Sequence, residues 1–282
     1  MNRRKTLKEL TIKDNFMFGA VMCDEGNCKE FLELVLQIPI DRVEVSKEKS
    51  IVYHPEHKGV RLDVFAKDEN HTHYDIEMQS IKKTSIGKRA RYYHSQIDME
   101  LLLSGEEYEK LPDSYVIFVC DFDPFGEKKY CYTFANQCLE NLTLNQKDGC
   151  KSIFLSTYGE NEEDVPKSMV KFLKFVKADL ADSEEDFEDE FVNKLQKSVR
   201  HVKTSREMED RFMLFQEMLR DERAEGKAEG KAEYVLELLE ELSVIPDDIR
   251  QRILNETDLE KLGKWHKLAA KVDSMEQFLK EM

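Results

Sequence analysis

Two short stretches of alternating character, residues 60–66 and 72–79, flank the turn-forming run Lys67-Asp-Glu-Asn-His71. Successive strand side chains point to opposite faces, so such a pair predicts an antiparallel hairpin. In the first stretch Val60, Leu62, Val64 and Ala66 share one face, and Arg61, Asp63 and Phe65 the other. In the second, Tyr74, Ile76 and Met78 oppose Asp75, Glu77 and Gln79. A register that sets Asp63 across from Glu77 gathers Asp63, Asp75, Glu77 and Gln79 into one polar cluster. A solvent-exposed hairpin face would carry the same residue types.

The flanking segments limit the architecture. Residues 14–37 carry Phe16, Phe18, Val21, Met22, Phe31, Leu32, Val35 and Leu36 at helical spacing, interrupted at Asp24-Glu-Gly-Asn27 and closed by Pro39. A strand is predicted over 43–53, a helix over 84–104 stopped by Gly105, and further strands over 115–120, 130–136 and 150–155. Helix, three strands, helix, strands is the order of an α/β sandwich around one mixed sheet. Beyond Pro166 the chain reads as helical. Residues 181–190 form an acidic connection, and 194–223 one long helix. The run Arg223-Ala-Glu-Gly-Lys-Ala-Glu-Gly-Lys231 repeats every four residues. It fits either a marginal helical linker or a helix whose glycines admit a close neighbour, since each glycine costs about 1 kcal/mol against alanine. Pro246 opens a helix in a small C-terminal module that holds Trp265. The expected domains are a core at 1–160, a helical extension at 161–235 and a module at 236–282.

Composition excludes several classes. A net charge of −15 opposes coating of DNA by bulk charge. That charge is uneven: residues 1–110 hold 18 basic and 20 acidic side chains, so the half with the polar cluster is nearly neutral. No apolar run is long enough to span a bilayer, and no apolar segment follows the basic N-terminus. A cytoplasmic protein without a membrane partner is expected. The six cysteines are scattered without Cys-x-x-Cys pairs, which fits free thiols rather than zinc or disulfides. His54, His57, His71 and His73 are read as exposed loop residues.

Hydrolysing a phosphodiester requires charge neutralisation and an activated water, which a hard cation on oxygen ligands supplies. Asp63, then Glu77-Met-Gln79 a strand later, resembles the short acidic motif of PD-(D/E)XK nucleases. The wider context narrows the likeness. Leu7-Lys-Glu-Leu-Thr-Ile-Lys-Asp-Asn-Phe-Met-Phe18, Val60-Arg-Leu-Asp-Val64, Tyr74-Asp-Ile-Glu-Met-Gln79, Lys88-Arg-Ala-Arg-Tyr-Tyr93 and Tyr115-Val-Ile-Phe-Val-Cys-Asp-Phe122 resemble the PD-(D/E)XK nuclease-type transposases, relatives of the recombination-promoting nucleases. The resemblance covers roughly residues 5–235 and implies a restriction-endonuclease-like core followed by an α-helical C-terminal region.

It also implies roles. Asp63 and Glu77 would be metal ligands, with the backbone carbonyl of Met78 completing the protein's share around Mg²⁺ or Mn²⁺. Gln79 stands where many relatives carry lysine, and it orients water by hydrogen bonds without adding charge. Asp14 resembles an acidic position that holds metal-bound water; it equally suits a helix N-cap. Arg61, Arg89, Arg91, Tyr92, Tyr93 and Gln96 are substrate-binding candidates, the last five on the helix after the motif, with Lys82, Lys83 and Lys88 nearby. The expected activity is metal-dependent endonucleolytic cleavage of DNA. The alternatives are a weakly active nuclease-fold module that binds DNA or protein, or an RNA-directed nuclease. A homodimer through residues 194–235 is expected, using Leu195, Val199, Val202, Phe212, Leu214, Phe215, Met218 and Leu219.

Overall fold

The computed structural model describes residues 5–51, 60–82 and 84–282, with the side chains of 47–51 and 60–61 outside that description. The chain divides into two compact units, Met1–Glu209 and Asp210–Met282.

The first unit is built on a six-stranded mixed sheet. Its strands are β1 (Val43–Ile51), β2 (Val60–Asp68), β3 (His73–Gln79), β4 (Ser114–Cys120), β5 (Cys131–Phe134) and β6 (Cys150–Ser156), in spatial order β1-β2-β3-β4-β6-β5. The β2–β3 hairpin is antiparallel; β3, β4 and β6 run parallel. The restriction-endonuclease-like α/β class expected from the sequence is the class observed. Every residue of β3 is buried. The polar cluster therefore lies in a covered face rather than on a solvated hairpin.

Two sets of helices make the covering. On one side α3 (Ile86–Leu101) packs Ala90, Tyr93 and Ile97 onto Phe65, Val116, Phe118 and Phe154. Burying each large side chain contributes about 1.5–3 kcal/mol, which fixes α3 against the sheet. Elsewhere α1 (Asn15–Met22), α2 (Glu25–Leu36), α4 (Lys167–Lys177) and α5 (Glu190–Thr204) pack together, with Phe172 touching Phe31 and Phe191 at ring separations of 5.4 and 5.9 Å. The interruption at 24–27 is a helix start, where the Asp24 side chain accepts from the Asn27 amide.

The helix expected over 194–223 is two helices. Asp189 caps α5 by accepting from the Val192 amide, and Ser205, in extended conformation, separates α5 from α6 (Arg206–Glu240). Ser205 Oγ then accepts from the Met208 amide as a new cap. Leu195, Val199 and Val202 are buried within this first unit and Phe212 within the second, so none of the four is available for dimer contacts.

In the second unit, α6 packs against α7 (Asp247–Leu254), α8 (Leu259–Ala269) and α9 (Met275–Glu281) around Trp265, Leu262, Ile253 and Phe278. The four-residue repeat is continuous helix. Ala228 and Ala232 line the buried seam. Gly226 and Gly230, two residues out of phase, face open space where an added methyl would meet nothing within 4 Å. Close packing is thus made by the alanines, not the glycines. Among the described residues, no helix is long and apolar enough to cross a membrane.

Candidate active site

The site forms where the β2–β3 ladder stops. Backbone pairing runs from Lys67↔His73 to Val64↔Ile76. At the next position carboxylates replace backbone partners. The Asp63 amide donates to Glu77 Oε1 at 3.1 Å, and the Met78 amide donates to Asp63 Oδ2 at 3.1 Å. Each acidic side chain thereby holds the neighbouring strand's backbone while the strands part. Gly19 of α1 faces the Asp63 carbonyl, 3.9 Å from where a Cβ would sit.

Arg89 on α3 closes the site. Its Nη2 donates to Glu77 Oε2 at 2.6 Å, its Nη1 to Gln79 Oε1 at 2.7 Å and its Nε to the Tyr93 hydroxyl at 2.7 Å. Gln79 Nε2 donates to the Met78 carbonyl at 3.0 Å and lies 3.4 Å from Glu77 Oε2. Glu77 is 1% exposed and Arg89 29%, so the pair is half screened. Burial and the Glu77 charge raise the Tyr93 phenol above its ordinary range, and it stays protonated.

Asp75, on the same strand, is fully buried with neither carboxyl oxygen hydrogen-bonded. Burial raises its carboxyl well above the usual range, and the Glu77 and Asp63 charges act in the same direction, against Arg89. Burial without donors disfavours the charged form.

The other expected site residues are placed as follows. Asp14 occupies the N-cap position of α1 without capping it. Its carboxylate instead accepts from the Thr11 amide at 2.8 Å and from Lys5 at 2.8 Å. Arg91 is exposed on α3, Tyr92 is half-buried, and Gln96 is buried. Lys88 is exposed, and Lys82 donates to the Asp123 carbonyl at 3.1 Å. The side chain of Arg61, together with Lys83, His54 and His57, lies outside the described residues. His71 is exposed in the turn, whereas His73 is buried against Phe65, with ring centroids 5.4 Å apart. Its place at the start of a strand covered on both sides overrides the loop reading.

Asp121, the residue after β4, belongs to the site's surroundings although its sequence position does not single it out. Its amide donates to the Gln79 carbonyl at 2.9 Å. Its carboxylate accepts from Thr157 Oγ1 at 2.9 Å and pairs with Lys13 at 3.3 Å. It joins the end of β3 to the approach of α1. An acidic residue just past an apolar strand was the available signal.

The donors that converge here are the Asp63 and Glu77 carboxylates and the Met78 carbonyl, all oxygens of the kind a hard divalent cation takes. No group of three or more His, Cys, Asp or Glu able to hold a metal occurs among the described residues. The Met78 carbonyl, the next oxygen along β3 after Glu77, accepts from Gln79 Nε2 at 3.0 Å. In chemistry this donor set suits such a cation, which would displace protein donors to bind: Glu77 accepts from Asp63 and Arg89, Asp63 from the Met78 amide, and the Met78 carbonyl from Gln79.

A mixed sheet whose central hairpin parts around paired acidic residues is the PD-(D/E)XK nuclease-like fold. The family model described as PD-(D/E)XK nuclease family transposase matches residues 13–229, which include every residue of the site, and the chain belongs to that family. No curated protein and no solved structure matches it significantly.

Proposed function

We propose that the protein is a metal-dependent endonuclease that hydrolyses phosphodiester bonds in DNA. The observation that carries this reading is the pair of bonds at the end of the ladder, from the Asp63 amide to the Glu77 carboxylate and from the Met78 amide to the Asp63 carboxylate. Asp63, Glu77 and that carbonyl would hold Mg²⁺ or Mn²⁺. A cation bound there would neutralise phosphate charge and lower the pKa of the attacking water. In the reaction a water oxygen bonds to phosphorus, one P–O ester bond breaks, and the water's protons pass to solvent and to the departing oxygen. Gln79 fixes the local hydrogen bonding, and the exposed Arg91 and Lys88 attract the DNA backbone. The test is incubation of supercoiled plasmid with the full-length protein and Mg²⁺. Relaxed and linear products are expected from the wild type, abolished by EDTA and by Asp63→Ala; undiminished cutting by Asp63→Ala overturns the site.

The half-screened Arg89–Glu77 ion pair supports a second reading, a nuclease-fold module that binds DNA and cuts it weakly, because a resident guanidinium competes for the Glu77 carboxylate. A homodimer remains part of the proposal. It rests on Leu214 and Leu219 of α6, which are 66% and 38% exposed.

A further inference from the structure

The β2–β3 hairpin gathers acidic and uncharged polar groups. Asp63 of β2 and Asp75 and Glu77 of β3 supply three carboxyls, and Gln79 adds an uncharged amide. A phosphodiester is itself an anion, so the site needs positive charge where the substrate arrives. Arg89 brings a cation to this cluster through direct contacts with Glu77 and Gln79.

We propose that Arg89 is a catalytic residue that contacts the phosphate being hydrolysed, and that Gln79 and Tyr93 are positioning residues for its guanidinium. The proposal rests on the nuclease reading above.

The geometry gives three reasons. First, a guanidinium has five N–H donors in a rigid fork. Three are directed at Glu77, Gln79 and Tyr93, so the plane and its rotation are fixed. Each Nη keeps a second hydrogen, and the side chain remains 29% exposed, so the guanidinium is held without being sealed in. Second, Gln79 faces Arg89 with an acceptor. Its amide is spanned between the Met78 carbonyl and Arg89, donating to one and accepting from the other. A lysine there could not accept from Arg89, so glutamine at 79 and arginine at 89 form a matched pair. Third, the Arg89 guanidinium packs over the Tyr93 ring at 4.9 Å and near the Phe118 ring at 5.5 Å. Arginine keeps its charge in such half-buried aromatic surroundings, where lysine is prone to lose it.

The competing role for Arg89 is to neutralise Glu77 and nothing more. Two measurements on the full-length protein separate the two. The first is the salt dependence of binding to a duplex in EDTA. If Arg89 touches phosphate, Arg89→Met reduces the slope of log K against log salt by about one unit, which loss of a mere neutraliser of Glu77 would not do. The second is plasmid cleavage with Mg²⁺. Arg89→Met should lose about 100-fold or more in kcat, in line with removal of one transition-state donor. Arg89→Met/Gln79→Lys, which puts a cation back on β3, should regain at least about ten-fold of that loss. Tyr93→Phe should lower kcat several-fold while the salt slope stays at the wild-type value, because the charge remains and only its tether is gone.

An unchanged salt slope in Arg89→Met overturns the assignment whether or not the protein cuts. Wild-type kcat in Arg89→Met overturns it as well. If Arg89→Met does not fold, Arg89→Lys replaces it. That variant keeps the charge and loses the fork, so a retained slope with reduced kcat is expected, and wild-type kcat overturns the proposal. A wild type that cuts nothing with Mg²⁺ or Mn²⁺ overturns the nuclease reading itself; the salt slope then decides the contact of Arg89 with phosphate independently.

Discussion

Asp63 and Glu77 meet through a backbone amide and a carboxylate rather than through two backbones: the Asp63 N–H donates to Glu77 Oε1 at 3.1 Å. The strands are one residue past their last paired position, Val64↔Ile76. The acidic side chains act here as both the end of the sheet and the start of the site. Changing either residue therefore affects structure and chemistry together.

Asp63→Asn and Glu77→Gln should each abolish metal-dependent cleavage while the protein still unfolds cooperatively. The amides keep shape but lose the charge that a hard cation needs. Asp63→Asn weakens the bond from the Met78 amide, and Glu77→Gln weakens those from the Asp63 amide and Arg89, at about 1–3 kcal/mol for each bond. Plasmid cleavage and thermal melting, read side by side, check this; substantial cutting by either variant contradicts the ligand assignment.

His94 should make the fold sensitive to acid. Its two ring nitrogens lie 2.9 Å from Ser114 Oγ and 3.1 Å from Ser152 Oγ, and burial lowers its pKa to about 4. With the folded value below the unfolded one near 6.5, the unfolded chain takes up a proton first as pH falls. The contribution of His94 to stability is complete above about pH 6.5 and is lost progressively toward pH 4, by about 3 kcal/mol in total. Urea midpoints from pH 7.5 to 4.5 should fall less in His94→Gln than in wild type. Parallel curves would remove His94 as the cause.

Gly226→Ala and Gly230→Ala should each stabilise the second unit by up to about 1 kcal/mol, since glycine is costly inside a helix and an added methyl meets nothing. A raised melting temperature of that unit is the expected readout. A lower one would show that a second chain approaches these glycines.

Leu214→Asp and Leu219→Asp should convert a dimer to a monomer in light scattering at tens of micromolar. Both residues are exposed on α6. A wild type that is already monomeric excludes dimerisation through this helix.

Much of the fold was legible because hydrophobic period and breakers are local. The 60–66 and 72–79 stretches alternate as strands do, apart from Phe65, and the observed β2–β3 register, extended one pair past Val64↔Ile76, reaches the Asp63–Glu77 position anticipated from it. Asp24-Glu-Gly-Asn27 marked the start of α2 through a cap that acts within three residues. Apolar spacing alone could not separate α5 from α6. Leu195 and Leu214 have the same character in sequence, and only packing buried the first and left the second exposed.

By itself the sequence determined the β2–β3 hairpin, the pairing of Asp63 with the Glu77-Met-Gln79 segment and the mixed α/β architecture, because alternation, turn residues and caps act over a few positions. Tertiary structure decided which groups face one another across the sheet and its covering helix. It placed Arg89 between Glu77 and Gln79, left Asp75 buried without hydrogen-bond donors, tied Asp121 to Lys13, and assigned α4 and α5 to the first unit. Those relationships join residues by burial and directed hydrogen bonds across the chain, and neither force leaves a periodic mark in the sequence.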